Sequence, residues 1–275
     1  MPPGVRNQRR RDVRRVSTSA HCAVLGSPVA HSLSPAMHRA AYQQLGLDWS
    51  YEAIDVLPGE LAPFLDGLDS GWVGLSVTAP LKREAAECAV TRSAVVKQLG
   101  VANTLIGGPD GWHAVNTDVP GAVAALREKD IARISSVRFL GGGATVDSLM
   151  LAVRELGAVD LEVWVREPAK VSPADGVTVR RLGDGFDGPV DLLVSTIPAS
   201  AVPADAVASA AAVFDVVYDP WPTPLASAAE ASGLDVVTGL DLLAHQAALQ
   251  VELMTGETVA PGVLREAALA ALATD

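Results

Sequence analysis

Aromatic residues are scarce in this sequence, at 4% of its 275 residues, whereas hydrophobic residues together reach 49%. A sizeable core is therefore expected, and alanine, valine and leucine must fill it. The two cysteines, Cys22 and Cys88, offer neither a disulfide framework nor the spacing of a metal site. We interpret them as buried thiols in a reducing compartment. No charge-free apolar run reaches about 18 residues, so no membrane-spanning helix is predicted.

Positive charge is also in short supply, because 21 Lys and Arg residues face 32 Asp and Glu residues and the net charge is −11. Nucleic-acid binding needs a basic face, so the composition argues against such a partner. The exception is residues 1–20, where six arginines accompany one acid, Asp12. This arm lacks the apolar stretch of a secretory signal. We expect a cytoplasmic protein with a disordered extension or an over-long start, a transit peptide being the alternative.

Apolar runs alternate with stretches of helical period along the rest of the chain, which predicts an α/β fold with parallel strands. The predicted strands are residues 22–25, 51–56, 73–77, 137–140, 161–165, 191–194, 213–217 and 235–237, with a hairpin at 104–106 and 112–115. The predicted helices are residues 35–45, 60–68, 119–129, 145–156, 240–255 and 263–272, with helical stretches after Lys82. We expect one domain over residues 21–118 and another over 119–239, and the closing helices at 240–275 could return to the first.

A strand, a glycine turn and a helix follow one another around Gly141-Gly142-Gly143-Ala144. Glycine allows a sharp turn and lets a pyrophosphate approach the N-terminus of the next helix. The spacing of Gly141 and Gly143 matches the first two glycines of the dinucleotide fingerprint, but Val146 replaces the third. No Lys-Ser or Lys-Thr pair follows, which disfavours an ATPase. The pattern indicates a dinucleotide site, with a plain glycine-rich connector as the alternative.

Charged residues follow the second strand of this unit, where ribose recognition is expected. Arg166 and Lys170 could hold a 2′-phosphate, which calls for a cation. Glu167 could instead accept hydrogen bonds from a ribose hydroxyl pair, and a solvated charged loop is the third interpretation. Asp147 lies in the first turn of the glycine-turn helix, where it suits the helix dipole but would repel a phosphate if it pointed inward.

Hydroxyl and charged residues gather in the first predicted domain. Ser32 and Ser34 should lie on the same side of an extended segment, and Pro35 opens a helix whose free N–H groups favour an anion such as a carboxylate. Simple N-capping by Ser34 is the alternative. Lys82 follows the end of a strand, and active-site residues of open α/β sheets are expected at the carboxyl ends of the strands. Lysine is rare in this chain, at four residues. A lysine at this position therefore indicates a need for an ammonium group whose pKa the protein can shift.

Two Asn-Thr pairs, Asn103-Thr104 and Asn116-Thr117, stand at predicted strand ends and could bind a polyhydroxylated ligand. Each pair by itself is ordinary turn chemistry. Asp118 follows the second pair and could pair with Lys82 and shift its titration. The histidines show no spacing typical of metal ligands, so we expect no metal site and interpret them as capping or packing residues.

Six segments of the chain resemble, in order, the motifs of the shikimate dehydrogenase family. One of them, from Gly74 to Lys82, resembles the family motif Gly-x-Asn-Val-Thr-x-Pro-x-Lys. The resemblance covers about residues 23–272, nearly the whole chain. The matching segments are residues 26–38, 74–82, 103–104, 116–118, 215–225 and 239–246.

The resemblance implies an NADP-dependent enzyme that reduces 3-dehydroshikimate to shikimate on the route to chorismate and the aromatic amino acids. It implies a substrate-binding first domain, a Rossmann-like NADP domain and a C-terminal helix that returns to the first domain. Lys82 and Asp118 would be the catalytic pair. The substrate contacts would be Ser32, Ser34, Thr78, Asn103, Asp118, Tyr218 and Gln246. The cofactor contacts would be Gly141, Gly143, Ala144, Arg166, Lys170, Thr196, Gly239 and Leu242.

Three departures from the family pattern keep alternatives open. Ser76 replaces the usual Asn, the glycine loop reads Gly-Gly-Gly-Ala-Thr-Val-Asp rather than Gly-Ala-Gly-Gly-Ala-Ala-Arg, and Val165-Arg166-Glu167 replaces Asn-Arg-Thr/Ser. NADP is expected, but Glu167 supports a relative that uses NAD and acts on quinate or aminoshikimate. A non-catalytic nucleotide-binding regulator is the alternative from another class. We expect a small-molecule substrate, and a monomer or homodimer.

Overall fold

The computed structural model describes residues 19–171 and 175–274. Its first sheet contains six strands, in the spatial order β2-β1-β3-β5-β6-β4. They span Ser19–Gly26 (β1), Asp48–Asp55 (β2), Trp72–Val77 (β3), Thr91–Arg92 (β4), Thr104–Gly108 (β5) and Gly111–Val115 (β6). The helices between them span Ser34–Leu45 (α1), Leu61–Asp66 (α2), Lys82–Cys88 (α3) and Ala94–Leu99 (α4).

This first sheet is mixed: the hairpin predicted at 104–106 and 112–115 is present, whereas the antiparallel pairing of β5 with β3 corrects the expectation of parallel strands elsewhere. β1 pairs in parallel with β2 and β3, whereas β5 runs antiparallel to β3 and to β6. β6 runs antiparallel to β5 because a tight turn joins the two strands. At this turn Gly111 has a positive φ of 115°, which favours glycine. A hairpin needs only such a turn, while a parallel pair needs a long crossover.

The second sheet contains six strands that all pair in parallel, in the order β12-β11-β10-β7-β8-β9. They span Ser136–Leu140 (β7), Asp160–Val165 (β8), Val177–Arg181 (β9), Val190–Ser195 (β10), Ala210–Asp215 (β11) and Asp235–Thr238 (β12). The helices Asp118–Glu128 (α5), Ala144–Glu155 (α6) and Pro224–Ala231 (α7) accompany them. The strand order reverses between β7 and β10, and ligands of such sheets bind at that switch point.

Two closing helices, Gly239–Thr255 (α8) and Pro261–Leu272 (α9), complete the fold. α8 lies against α5, and both closing helices contact α1 of the first sheet. The shared apolar cluster combines Met37 and Ala41 of α1 with Ala247 of α8 and Leu264 of α9. The two sheets, their helices and this return of the chain confirm the predicted α/β class.

Several boundaries differ from the sequence-based prediction. β1 begins at Ser19, so residues 19 and 20 of the expected extension are strand, while residues 1–18 lie outside the described residues. β4, β9 and α7 were not predicted, because each is short and polar or alanine-rich rather than periodic. Cys22 is buried as expected, but Cys88 is only partly buried. Within the described ranges, no helix combines the length and apolar character needed to cross a membrane.

Candidate active site

A buried ion pair lies at one edge of the first sheet. Lys82 Nζ lies 2.7 Å from Asp118 Oδ2, and the two residues are 9% and 5% exposed. Lys82 opens α3 just after β3, and Asp118 opens α5 just after β6, so both strands deliver their charged residues to one edge of the sheet. The predicted pairing is confirmed. Removing one partner of such a buried pair is strongly destabilising, because the other charge is left uncompensated.

Asn103 holds the carboxylate of this pair from its other side. Its amide nitrogen lies 2.8 Å from Asp118 Oδ1, 2.9 Å from Thr117 Oγ1 and 3.2 Å from Gln246 Oε1. Its amide oxygen accepts the backbone N–H of Thr117 at 2.7 Å. Four sequence-predicted residues, Lys82, Asn103, Asp118 and Gln246, are therefore brought together in one hydrogen-bonded group.

A second layer of polar side chains, which the sequence reasoning missed, supports Asn103 from below. The Tyr51 hydroxyl donates to Ser76 Oγ at 2.6 Å, and Ser76 donates to Gln250 Oε1 at 2.9 Å. Gln250 Nε2 then donates to the carbonyl of Asn103 at 3.1 Å and to Thr104 Oγ1 at 2.9 Å. These partners come from β2, β3 and α8, so no local pattern in the sequence could have revealed them.

Gln246 reaches this group because α5 and α8 approach very closely. A Cβ atom placed on Gly121 of α5 would lie 2.9 Å from both the Cβ and the backbone nitrogen of Gln246. Any larger residue would therefore push α8 away from Asn103. Gly121 is a second residue that the sequence reasoning missed, and a glycine inside a helix is the signal that could have found it.

Ser32 and Ser34 adopt a different geometry from the one expected. The segment bends, Ser34 is the first residue of α1, and Leu33 is the N-cap without a side-chain hydrogen bond. The expected extended segment and the alternative of capping by Ser34 are both wrong, because the helix begins one residue earlier than predicted. The two serines still lie together, since Ser32 Oγ accepts the backbone N–H of Ser34 at 3.3 Å.

Thr78 and Tyr218, two of the expected substrate contacts, follow strands of different sheets. Thr78 follows β3, and its backbone N–H donates to the carbonyl of Leu25 at the end of β1, at 2.8 Å. Tyr218 follows β11 and packs against the cluster formed by α1, α8 and α9. Burial and the nearby Asp219 raise the pKa of the Tyr218 phenol. Tyr218 therefore stays a neutral hydroxyl at physiological pH.

The glycine turn after β7 has the features of a phosphate-binding loop. Gly141 has a positive φ of 117°, and a Cβ there would collide with Thr196 at the end of β10. Gly143 is the N-cap of α6 without a side-chain cap, and no atom lies within 4 Å of the place of its missing Cβ. The first amides of a helix have no partner within the helix. Open space beside such amides fits a dinucleotide pyrophosphate.

The charged residues after β8 lie at the surface. Lys170 Nζ is 2.9 Å from Glu167 Oε2, so this carboxylate faces a lysine within its own loop. Arg166 is exposed, and its side chain makes no ion pair with any other described residue. Arg181, at the end of β9, is opposite Val165 in the parallel register. Arg181 is a further cation at this corner, and it was missed because β9 was not predicted.

The last two expected cofactor residues occupy packed positions. Gly239 opens α8, where a Cβ would collide with the carbonyl of Val216. Leu242 is 4% exposed and its side chain belongs to the apolar core between α5, α6 and the second sheet. The structure therefore does not bring the Leu242 side chain to the glycine turn. Among the residues that the structure describes, no group of three or more His, Cys, Asp or Glu side chains could hold a metal ion.

Comparisons with known proteins agree with this geometry. Residues 24–105 match the family model for the shikimate dehydrogenase substrate binding domain, and residues 239–269 match that for the shikimate 5'-dehydrogenase C-terminal domain. The chain is 36% identical to the shikimate dehydrogenase (NADP(+)) of Thermus thermophilus over 264 residues, which cover 91% of this chain and 98% of that protein. The chain belongs to the shikimate dehydrogenase family.

Solved structures of shikimate dehydrogenases share the whole fold. The crystal structure of the Mycobacterium tuberculosis enzyme is 36% identical, with a TM-score of 0.81, and the match covers 91% of this chain and 99% of that one. A Thermus thermophilus enzyme in complex with NADP(H) and shikimate is 34% identical, with a TM-score of 0.79, over 92% of this chain and 99% of that one. The resemblance drawn from the six motifs is confirmed.

This member of the family accommodates its first departure from the family pattern by hydrogen bonding. Ser76 is 4% exposed and stands between the Tyr51 hydroxyl and the Gln250 amide. The shorter side chain leaves no unpaired group, because Gln250 extends from α8 to meet it.

Proposed function

We propose that this protein is an NADP-dependent shikimate dehydrogenase, which reduces 3-dehydroshikimate to shikimate and catalyses the reverse reaction. The buried Lys82–Asp118 pair at the junction of the two sheets is the observation that carries the proposal. It stands on the same side of the molecule as the glycine turn, since Asn116, two residues before Asp118, donates to Ser148 of α6 at 2.9 Å. A proton donor thus lies beside a dinucleotide site.

The proposed role of Lys82 follows from the charge that develops on the substrate during the reaction. A bound nicotinamide supplies or accepts the hydride. In the reducing direction the substrate carbonyl oxygen gains negative charge, and the Lys82 ammonium stabilises that charge and donates the proton. Asp118 orients the ammonium group, and Asn103 keeps the carboxylate in place through its second oxygen. In the oxidising direction neutral Lys82 accepts the proton of the substrate hydroxyl.

The substrate contacts are assigned by the chemistry of the side chains. Ser32 and Ser34, close to the start of α1, suit a carboxylate. The hydroxyl of Thr78 and the amides of Asn103 and Gln246 suit the hydroxyl groups of a polyol ring. Tyr218 closes the cleft from the nucleotide side. These assignments are supported by the position of Thr78 and Asn103 at one edge of the first sheet, where Gln246 reaches Asn103 from α8.

The cofactor contacts are assigned to the crevice at the strand-order reversal. The backbone at Gly141, Gly143 and Ala144 would hold the pyrophosphate, with Thr196 closing the crevice. Arg166 and Lys170 would hold the 2′-phosphate that distinguishes NADP from NAD, and Arg181 joins them as a third cation. Gly239 and Leu242 would serve only through the backbone at the start of α8.

The remaining features of the enzyme are assigned by its composition and fold. We place the substrate domain at residues 19–118, because β1 begins at Ser19, the nucleotide domain at 119–239 and the returning helices at 240–275. A cytoplasmic location, a monomer or homodimer, and the lack of a nucleic-acid partner are all consistent with an acidic chain of net charge −11.

Initial rates of nicotinamide absorbance test the proposal directly, with shikimate or quinate offered against NADP⁺ or NAD⁺. A strong preference for shikimate with NADP⁺ is expected. Faster reaction with NAD⁺ or quinate would instead identify a family relative with altered specificity. A folded protein that binds nucleotide but turns over neither substrate would favour the non-catalytic regulator.

A further inference from the structure

A second ion pair spans the cleft one residue away from the catalytic lysine. Arg83 of α3 contacts Asp147 of α6, with Nη2 2.5 Å from Oδ2. The helix α3 follows strand β3 of the first sheet, and α6 follows the glycine turn after strand β7 of the second sheet. The pair therefore connects the helix that starts with Lys82 to the helix that would receive the cofactor diphosphate.

Asp147 poses an electrostatic problem for cofactor binding. Its side chain is 26% exposed and lies in the first turn of α6, where side chains lean towards the helix N-terminus. Burial raises the pKa of this carboxyl group, and Arg83 opposes the rise. An ionised carboxylate at this place repels a diphosphate that approaches the same turn. The chain keeps an acid there, so a neighbouring cation has to compensate for it.

Arg83 has the reach and the donors to do more than compensate. Its side chain is 56% exposed, so it can move, and only one of its terminal nitrogens contacts Asp147. A guanidinium group has five N–H donors, and its planar fork matches phosphate oxygens as well as carboxylates. The remaining donors make no other hydrogen bond to the described residues, and open space adjoins Gly143, whose carbonyl accepts the Asp147 N–H.

We propose that Arg83 is a cofactor-binding residue of this enzyme, supplied by the substrate side of the cleft to the diphosphate of the dinucleotide. Asp147 positions the guanidinium group beside the first turn of α6, and the guanidinium group cancels the charge that Asp147 would otherwise turn towards the phosphates. Two neighbouring residues at the start of α3 thus contact different molecules: Lys82 acts on the reacting carbonyl, and Arg83 binds the cofactor. This inference rests on the proposed function.

Calorimetric titration of the full chain with NADPH and with NADH, in the absence of substrate, tests the assignment independently of catalysis. Arg83→Gln removes the charge and keeps a long polar side chain. Arg133→Gln is the matched control, because Arg133 is an exposed residue that precedes β7, at the opposite end of the sheet from the glycine turn. Arg83→Gln is expected to weaken both nucleotides about tenfold, as the loss of a charge-assisted hydrogen bond does. Arg133→Gln should leave both affinities unchanged.

The comparison of the two nucleotides decides which phosphate is involved. They share the diphosphate, so an equal loss for both supports the proposal. A loss confined to NADPH would place Arg83 at the 2′-phosphate, and unchanged affinities would make the Arg83–Asp147 pair purely structural; either result overturns the proposal. If the unmodified protein binds neither nucleotide, the proposed function itself fails.

A second variant tests the role of the acid. In the Arg83→Gln background, Asp147→Asn is expected to recover part of the lost affinity for both nucleotides, since the uncompensated carboxylate is then gone. The absence of any recovery would contradict repulsion by Asp147. Shikimate affinity, measured in the same variants, should stay unchanged throughout, and a parallel loss would show a general disturbance of the cleft rather than a cofactor contact.

Discussion

The substrate half and the nucleotide half of the cleft are built in different ways. In the substrate half the functional side chains are buried and already paired, with Lys82, Asp118 and Asn103 at 9%, 5% and 2% exposure. In the nucleotide half the proposed site is the backbone of a glycine turn, and the charged side chains of Glu167 and Lys170 are 64% and 74% exposed. Burial makes the first site dependent on every partner, while the second tolerates exchange of individual side chains.

This difference explains where the chain departs from the family pattern. Val146, Asp147 and Glu167 all lie in the nucleotide half, and the two added acids pair with Arg83 of the substrate half and with Lys170. The departure in the substrate half, Ser76, is accompanied by a complete set of buried hydrogen bonds. A buried polar site can change only with its partners, because an unpaired polar group inside the protein is costly.

The largest effect is expected from Lys82→Ala, which removes the proposed proton donor. Turnover should fall by about 10³-fold, as losses of general acid and electrostatic stabilisation commonly do. Shikimate affinity should fall much less, so kcat and KM separate. Lys97→Ala, at an exposed position in the last turn of α4, removes the same charge and should have no effect. Equal losses of turnover and shikimate binding in a folded Lys82→Ala variant would contradict the assigned role.

A stability effect should follow from His38, a fully buried residue behind the substrate half. Its ring stacks on Tyr51 with centroids 4.1 Å apart, Nδ1 lies 2.9 Å from the Ser34 carbonyl, and Nε2 has no partner among the described residues. Burial lowers the pKa of His38 to about 4. The unfolded chain therefore takes up the proton first as the pH falls below about 6.5. The free energy of unfolding should lose about 3 kcal/mol between about pH 6.5 and pH 4.

Urea denaturation across this pH range checks the expected loss. His38→Phe keeps an aromatic ring against Tyr51 but cannot titrate. The variant should therefore lack this part of the pH dependence, although its stability at pH 7 differs from that of the unmodified protein. Parallel pH profiles for the two proteins would assign the acid sensitivity to other groups.

A smaller loss is expected from Gln250→Leu, which breaks the support beneath Asn103. The change removes the acceptor of the Ser76 hydroxyl and one donor each to the Asn103 carbonyl and to Thr104 Oγ1. The loss of these buried hydrogen bonds should cost about 2 kcal/mol of stability. Turnover should also fall several-fold because Asn103 no longer holds Asp118 firmly. Thermal unfolding and the pH profile of kcat measure the two effects. Gln98→Leu, at an exposed site, is the control, and equal behaviour of the two variants would refute the supporting role.

The smallest effect is expected from Arg166→Ala in the nucleotide half. NADPH binding should weaken about tenfold, in line with the loss of one charge-assisted hydrogen bond, while NADH binding stays constant. Calorimetric titration of both nucleotides gives the two constants. Protein stability should not change, since Arg166 is exposed and makes no ion pair with the other described residues. An equal loss for NADH would remove Arg166 from the 2′-phosphate.

Much of the fold could be predicted, because hydrophobic periodicity and turn residues are local signals. β9 escaped because it is an edge strand whose exposed Thr178 and Arg180 dilute the pattern, and α7 escaped because it is a short alanine-rich helix that starts at Pro224. The bend at Ser32 could not be predicted either, since its geometry depends on where α1 begins.

The sequence by itself determined which chemical groups this protein carries and where along the chain they stand, since strand ends, glycine turns and helix starts are written locally. Only the tertiary structure decided which distant partners support them: Gln246 with Asn103, 143 residues away, and Gln250 with Ser76, 174 residues away. The pairing of Arg83 with Asp147 belongs to the same class. Such contacts depend on sheet register and on how closely helices approach, and both are set by the packing of the whole core rather than by neighbouring residues.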